Sequence, residues 1–165
     1  NASLSNDIKI DLIKCLSSNG GIDGMIIGQA IDCYFENQKL ELNQLEFLHI
    51  HKTAKLIAAS LKMGAIICEY DLQTQEKLFN FGINLGLLFQ IQDDIIDETC
   101  TSVQAGKTTH NDSSKNSFVN LLGLDGSIKS ADDLALKCLE TLNTFDSNLK
   151  ESLEQLLLEY INRHK

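Results

Sequence analysis

The chain has 165 residues, 43% of them hydrophobic and 6% aromatic, with no Trp, no Pro and a net charge of −9. One domain of this length buries roughly 70% of its unfolded surface, and a proline-free chain with few turn clusters predicts helices joined by short loops. The acidic balance speaks against nucleic acid or an anionic membrane surface as a partner, and no apolar run reaches the ~18 residues needed to cross a bilayer.

In chain order, residues 7–18 carry Ile8, Leu12, Ile13, Cys15 and Leu16 at helical spacing and end at Asn19-Gly20-Gly21. A second helix is expected over 22–35, with Gly24 and Gly28 one turn apart, then Gln29 and Asp32. Glycines so spaced let another helix approach closely; a phosphate loop fits less well, because no strand precedes them. Residues 36–42 are a polar connector. Asn43-Gln44-Leu45-Glu46 then reads as a capping box opening a long helix to about residue 68. Inside it lie His49-Ile50-His51-Lys52-Thr53. Histidines two apart point to different faces, which argues against a His-His metal site, and a helix lysine is usually solvated.

Residues 74–99 form the central helix. From Leu78 to Ile96 the apolar residues run almost round the wheel, the mark of a buried helix. One stripe differs: Gly82, Gly86, Gln90, Asp93 and Asp97 fall within an arc of roughly 80°, while Asp94 points about 100° away from Asp93. Asp93, Asp94, Asp97 and Glu98 crowd the negative end of the helix dipole, with no Lys, Arg or His between Lys77 and Lys107. Carboxylates at i and i+4 repel each other, and converging hard oxygens suit Mg²⁺, which takes one or two carboxylates plus waters and phosphates. The plainer alternative is a solvated acidic helix end, which would not need Gly82, Gly86 and Gln90 on the same face.

Residues 100–116 are polar and aperiodic and contain Gly106-Lys107-Thr108-Thr109-His110. Such a loop beside a charged site is a lid candidate that can return Lys107 over the acids. A short helix is expected over 117–124. Ser130-Ala131-Asp132-Asp133 resembles a cap for a helix to 145, and residues 148–162 carry Leu149, Leu153, Leu156, Leu157 and Tyr160 on one face. The total is six or seven helices and no strand. Five cysteines, odd in number, widely spaced and without a Cys-x-x-Cys pair, fit reduced thiols in a cytoplasmic protein.

Phe89-Gln90-x-x-Asp93-Asp94-x-x-Asp97 followed by Gly106-Lys107 resembles the second aspartate-rich motif of the trans-isoprenyl diphosphate synthases, most closely the short-chain bacterial group. Residues 20–25, Gly28-Gln29-Ala30-Ile31-Asp32, His49–Thr53, the stretch 115–123 ending Leu121-Leu122-Gly123 and the terminal Tyr160-Ile161-Asn162-Arg163-His164-Lys165 resemble family segments in the family's order, so the likeness covers nearly the whole chain. It implies an all-α, terpenoid-synthase-like helical bundle around a central cavity. There a Mg²⁺-dependent prenyltransferase condenses isopentenyl diphosphate with an allylic (dimethylallyl or geranyl) diphosphate, giving farnesyl diphosphate or a similar short-chain product. By the same resemblance three Mg²⁺ ions take part, one through Asp93 as main ligand with Asp97 and Asp94 beside it. Lys52 and Lys107 hold the allylic diphosphate, Thr53 and Gln90 line the developing cation, and Phe89, Gln29 and Lys115 contact substrate. The family is also homodimeric.

The departures are as specific as the matches. Only the second aspartate motif is present, the basic residues that bind isopentenyl diphosphate have no counterpart, and His110 stands where the family usually has glycine. The expectation is therefore that residues 1–165 are the C-terminal portion of a single polyprenyl synthetase domain, inactive by itself. The alternative is a non-catalytic helical subunit that regulates an active synthase.

Overall fold

The computed structural model describes residues 3–36, 38–99 and 116–161, residues 160 and 161 by their backbone alone. Those residues are helical throughout their ordered elements, with no strand among them. Helix α1 (Asn6–Gly20) is capped by Ser5, whose Oγ accepts from the Ile8 amide at 3.3 Å. A π-helical turn (Ile22–Ile26) leads into α2 (Ile27–Tyr34), so the continuous helix expected over 22–35 is broken at Gly24, whose backbone is non-helical. The break needs glycine: a Cβ on Gly24 would stand 2.0 Å from the Asn19 carbonyl oxygen.

The long helix expected from residue 43 differs in two ways. It starts earlier, as α3 (Leu42–His49), and its box pairs Glu41 with Gln44, the Glu41 amide donating to Gln44 Oε1 at 2.9 Å. It is also interrupted by a second π-helical turn (Ile50–Ala54), closed by the Lys55 amide donating to the Ile50 carbonyl, before α4 (Lys55–Ile67). An extra residue in one turn re-aims the side chains that follow, and such turns gather at functional sites.

Helix α5 (Leu72–Thr99) is the central element. Asp71 opens it, its Oδ1 accepting from the Thr74 amide at 2.8 Å, and that bond holds the Asp71 carboxyl below its ordinary range. Phe81, Leu85, Leu88, Ile91 and Ile95 of α5 are buried in one cluster with Leu45 and Leu48 of α3. The same cluster takes Phe118, Ala135, Cys138 and Leu142 from α6 (Phe118–Leu142), and Leu153 and Leu157 from α7 (Ser147–Ile161). A smaller cluster seats α1 on α4 through Cys15, Ala59 and Ile66.

Helix α6 joins what the sequence divides. Ser117 caps it, Oγ accepting from the Asn120 amide at 3.1 Å, and Gly123 at φ 72° breaks it after one turn, where the short helix was expected to end. The expected start at Ser130 is absent. Ser127 and Ser130 instead donate back to the carbonyls of Gly123 and Gly126 at 2.9 and 3.0 Å, a mode open to serine inside a helix.

Candidate active site

The site grows from the seam between α4 and α5. Cβ atoms added at Gly82 and Gly86 would each lie 2.5 Å from a Cα, that of Ala58 and that of Ala54 respectively. The two helices can therefore lie this close only because all four positions are small. Half of the anomalous stripe on α5 is thus a packing seam. One turn beyond Gly86 the stripe turns polar, and Thr53 of the second π turn donates its hydroxyl to Gln90 Oε1 at 3.3 Å. Asp93 and Asp97, both half-buried, continue the line.

Helix α2 closes the other side of that turn. Gly28 backs directly on it, a Cβ there meeting the Lys52 nitrogen at 2.2 Å and its Cα at 2.6 Å. From the same helix Asp32 Oδ2 takes the Lys52 ammonium at 2.6 Å. So Lys52 faces α2 and Thr53 faces α5, from adjacent positions in the chain. Gln29 is exposed on α2, and Phe89 is half-buried next to Gln90. Lys55 donates to the Asp23 carbonyl at 2.7 Å, tying the first π turn to α4.

Asp94 has a different place from its neighbours. Its Oδ2 accepts from the Phe118 amide at 2.8 Å, so it satisfies an otherwise orphaned donor at the start of α6. The roughly 100° between Asp93 and Asp94 on the wheel is the reason. The two histidines also separate: His49 is buried and stacked on the Phe118 ring, while His51 stacks on Phe47 and bonds its carbonyl at 2.8 Å. Asn116 went unnoticed in the sequence. It donates to the Phe35 and Gln38 carbonyls at 3.0 and 2.8 Å and accepts from the Leu40 amide at 3.0 Å, clamping the 36–42 connector. Lys107, Lys115 and His110 lie outside the described residues.

Two half-buried carboxylates one turn apart are the donor chemistry a Mg²⁺ ion uses when phosphates complete its shell. No three His, Cys, Asp or Glu side chains among the described residues group closely enough to cage an ion unaided. The donor set therefore fits a metal shared with a phosphate ligand and does not fit an all-protein site. Among the described residues no helix is long and apolar enough to cross a membrane.

A family model for polyprenyl synthetase matches residues 3–156. Farnesyl diphosphate synthase of Micrococcus luteus is 36% identical, the match taking in 100% of this chain and 57% of that protein. Farnesyl diphosphate synthase of Haemophilus influenzae is 33% identical, over 94% and 55%. Among solved structures, a geranyltransferase from Helicobacter pylori complexed with magnesium and isoprenyl diphosphate superposes with a TM-score of 0.86 at 51% identity, covering 96% of this chain and 54% of the other. The helical arrangement is thus that of the isoprenyl synthases, and the chain spans little more than half the length of the relatives it matches.

Proposed function

Because the chain belongs to the polyprenyl synthetase family, we propose that it forms the C-terminal portion of a synthetase domain joining isopentenyl diphosphate to an allylic diphosphate, with a farnesyl-length product. The observation that carries this reading is the Thr53–Gln90 hydrogen bond at 3.3 Å, which fixes the Lys52-bearing turn against the stripe that leads to Asp93 and Asp97. Around the second π turn, Thr53 and Gln90 thus meet on the α5 side, Lys52 is paired with Asp32 on the α2 side, and Asp93 and Asp97 lie further along the α5 stripe.

The chemistry asks for these groups. An allylic C–O bond breaks with its electron pair leaving on diphosphate, so negative charge grows on the leaving oxygen and positive charge on carbon. Lys52 holds and neutralises the leaving diphosphate, joined in this reading by Lys107, with Lys115, Phe89 and Gln29 as substrate contacts. Magnesium, held by Asp93 with Asp97, supplies Lewis-acid stabilisation of the diphosphate when bound. Thr53, its proton donated to Gln90, keeps its hydroxyl lone pairs for a neighbouring positive centre, and the Gln90 amide oxygen is held beside it. The isopentenyl double bond then attacks the allylic carbon, and a proton passes from the new carbon skeleton to the released diphosphate. No side-chain nucleophile is required. The Asp94 carboxylate belongs mainly to α6 in this reading, since one of its oxygens is committed to Phe118. The two carboxylates of this half supply only part of a three-ion Mg²⁺ site, which is why the isolated chain is expected to be inactive. In the whole protein the assembly is a cytoplasmic homodimer in this reading.

The test is to express the complete gene product that contains this chain and supply dimethylallyl and isopentenyl diphosphates with Mg²⁺. A fifteen-carbon diphosphate is expected by chromatography, lost on chelation and reduced at least ~100-fold by Asp93→Ala. A complete gene product that binds neither substrate and turns over none would make it a non-catalytic subunit.

A further inference from the structure

Resting on the role given to Lys52 above, we propose that Gly28 and Asp32 form a positioning unit on α2 that presets the Lys52 ammonium for the diphosphate. Neither residue touches the reacting atoms; both act through Lys52.

The geometry is specific. Gly28 is the point where α2 meets the second π turn, and any Cβ there would overlap backbone, with the Lys52 nitrogen at 2.2 Å, its Cα at 2.6 Å and the His51 carbonyl carbon at 2.7 Å. Backbone cannot swing aside as a side-chain tip can. The contact therefore fixes the distance between α2 and the turn. Asp32 stands one helical turn further along the same helix, so the same contact sets where its carboxylate lies relative to Lys52 Nζ, 2.6 Å away. Asp32 is the carboxylate that pairs with this lysine among the described residues.

Two effects of Asp32 oppose each other. A lysine has a flexible four-carbon stem, and ordering it only when ligand arrives costs affinity; a standing pair removes much of that cost. Against this, a carboxylate near an arriving diphosphate repels it. The pair is part-open to water, with side chains 27% and 37% exposed, so the repulsion is screened. Preorganisation wins on this balance, and removing Asp32 weakens binding.

A double-mutant cycle decides it, because a merely structural ion pair would move stability alone. Calorimetry on the complete gene product that contains this chain would use dimethylallyl diphosphate with Mg²⁺, and inorganic diphosphate with Mg²⁺, for wild type, Asp32→Asn, Lys52→Gln and the double variant, with melting curves alongside. Asp32→Asn is expected to weaken both ligands about fivefold, and to add nothing once Lys52→Gln is present. Gly28→Ala is expected to weaken them further; should it fail to fold, the near-isosteric Asp32→Asn still carries the test. Unchanged or tighter binding by Asp32→Asn overturns the proposal, as does an equal loss in both backgrounds. If Lys52→Gln weakens binding but Asp32→Asn acts additively, the diphosphate role of Lys52 stands and only the positioning unit falls. Wild-type affinity in Lys52→Gln overturns both.

Discussion

Helix α5 is held by two unlike surfaces. Towards α4 and the π turn before it, α5 presents Gly82 and Gly86 to Ala58 and Ala54, a line of small residues on which backbone meets backbone. Its remaining faces carry Phe81, Leu85, Leu88, Ile91 and Ile95, which are buried with residues of α3, α6 and α7. Burial of large apolar groups supplies most of the folding free energy, so the second surface is where stability resides. The line of glycines and alanines instead sets the spacing of the helices, because close-packed backbone cannot move aside as a side chain can. It also leads straight to Thr53, Gln90, Asp93 and Asp97. One helix thus separates what keeps the fold together from what aligns the site.

The sharpest way to break this comparison is to damage each surface in turn. Phe81 is fully buried, and Phe81→Ala is expected to cost about 3–5 kcal/mol in urea unfolding while the remaining folded protein keeps its affinity for Mg²⁺ and diphosphate. Gly86→Ala should do the reverse in proportion. Its Cβ would sit 2.5 Å from the Ala54 Cα, an overpacking worth about 1–3 kcal/mol, and the forced shift of the second π turn should weaken diphosphate binding more than Phe81→Ala does. Equal effects of the two variants on binding would erase the distinction.

A smaller effect sharpens it further. Burial pushes the Cys138 thiol, on the apolar side of α5, up to about 12 from an ordinary 9.0. A group whose folded pKa is raised contributes stability that is complete below the unfolded value and is lost as pH rises towards the folded one. Urea unfolding of wild type and Cys138→Ala should therefore converge by about 1 kcal/mol between pH 8 and pH 10. A gap that stays constant over that range would show that the thiol is not desolvated as described. Iodoacetamide should likewise label the exposed Cys33 and Cys68 and spare Cys15 and Cys138 until denaturant is added.

What the sequence revealed follows from the reach of its signals. The 3.6-residue period exposes α5, its acidic end and the stripe through Gly82, Gly86 and Gln90, because all of these are local. The stripe's meaning was only half legible: its glycines answer Ala54 and Ala58, which lie on another helix. The second π turn carries no local signature, and the backbone packed against it, at Gly28, lies more than twenty residues earlier. The Lys52–Asp32 pair, the Asp94 bond to the Phe118 amide and the Asn116 clamp likewise join residues 20 to 81 positions apart. Ser130 misled for the opposite reason, because its local capping pattern yields to a helix already buried through Ala131 and Ala135.

The most direct test of the central claim contrasts the two adjacent acids of α5 by calorimetry of Mg²⁺-dependent dimethylallyl diphosphate binding. Asp93→Asn should lower that affinity at least ~30-fold with little change in melting temperature, whereas Asp94→Asn should lower the melting temperature by a few degrees through the weakened start of α6 and keep most of the affinity. Binding that survives Asp93→Asn intact, or that collapses only with Asp94→Asn, would contradict the assignment of the α5 stripe as the metal and diphosphate site.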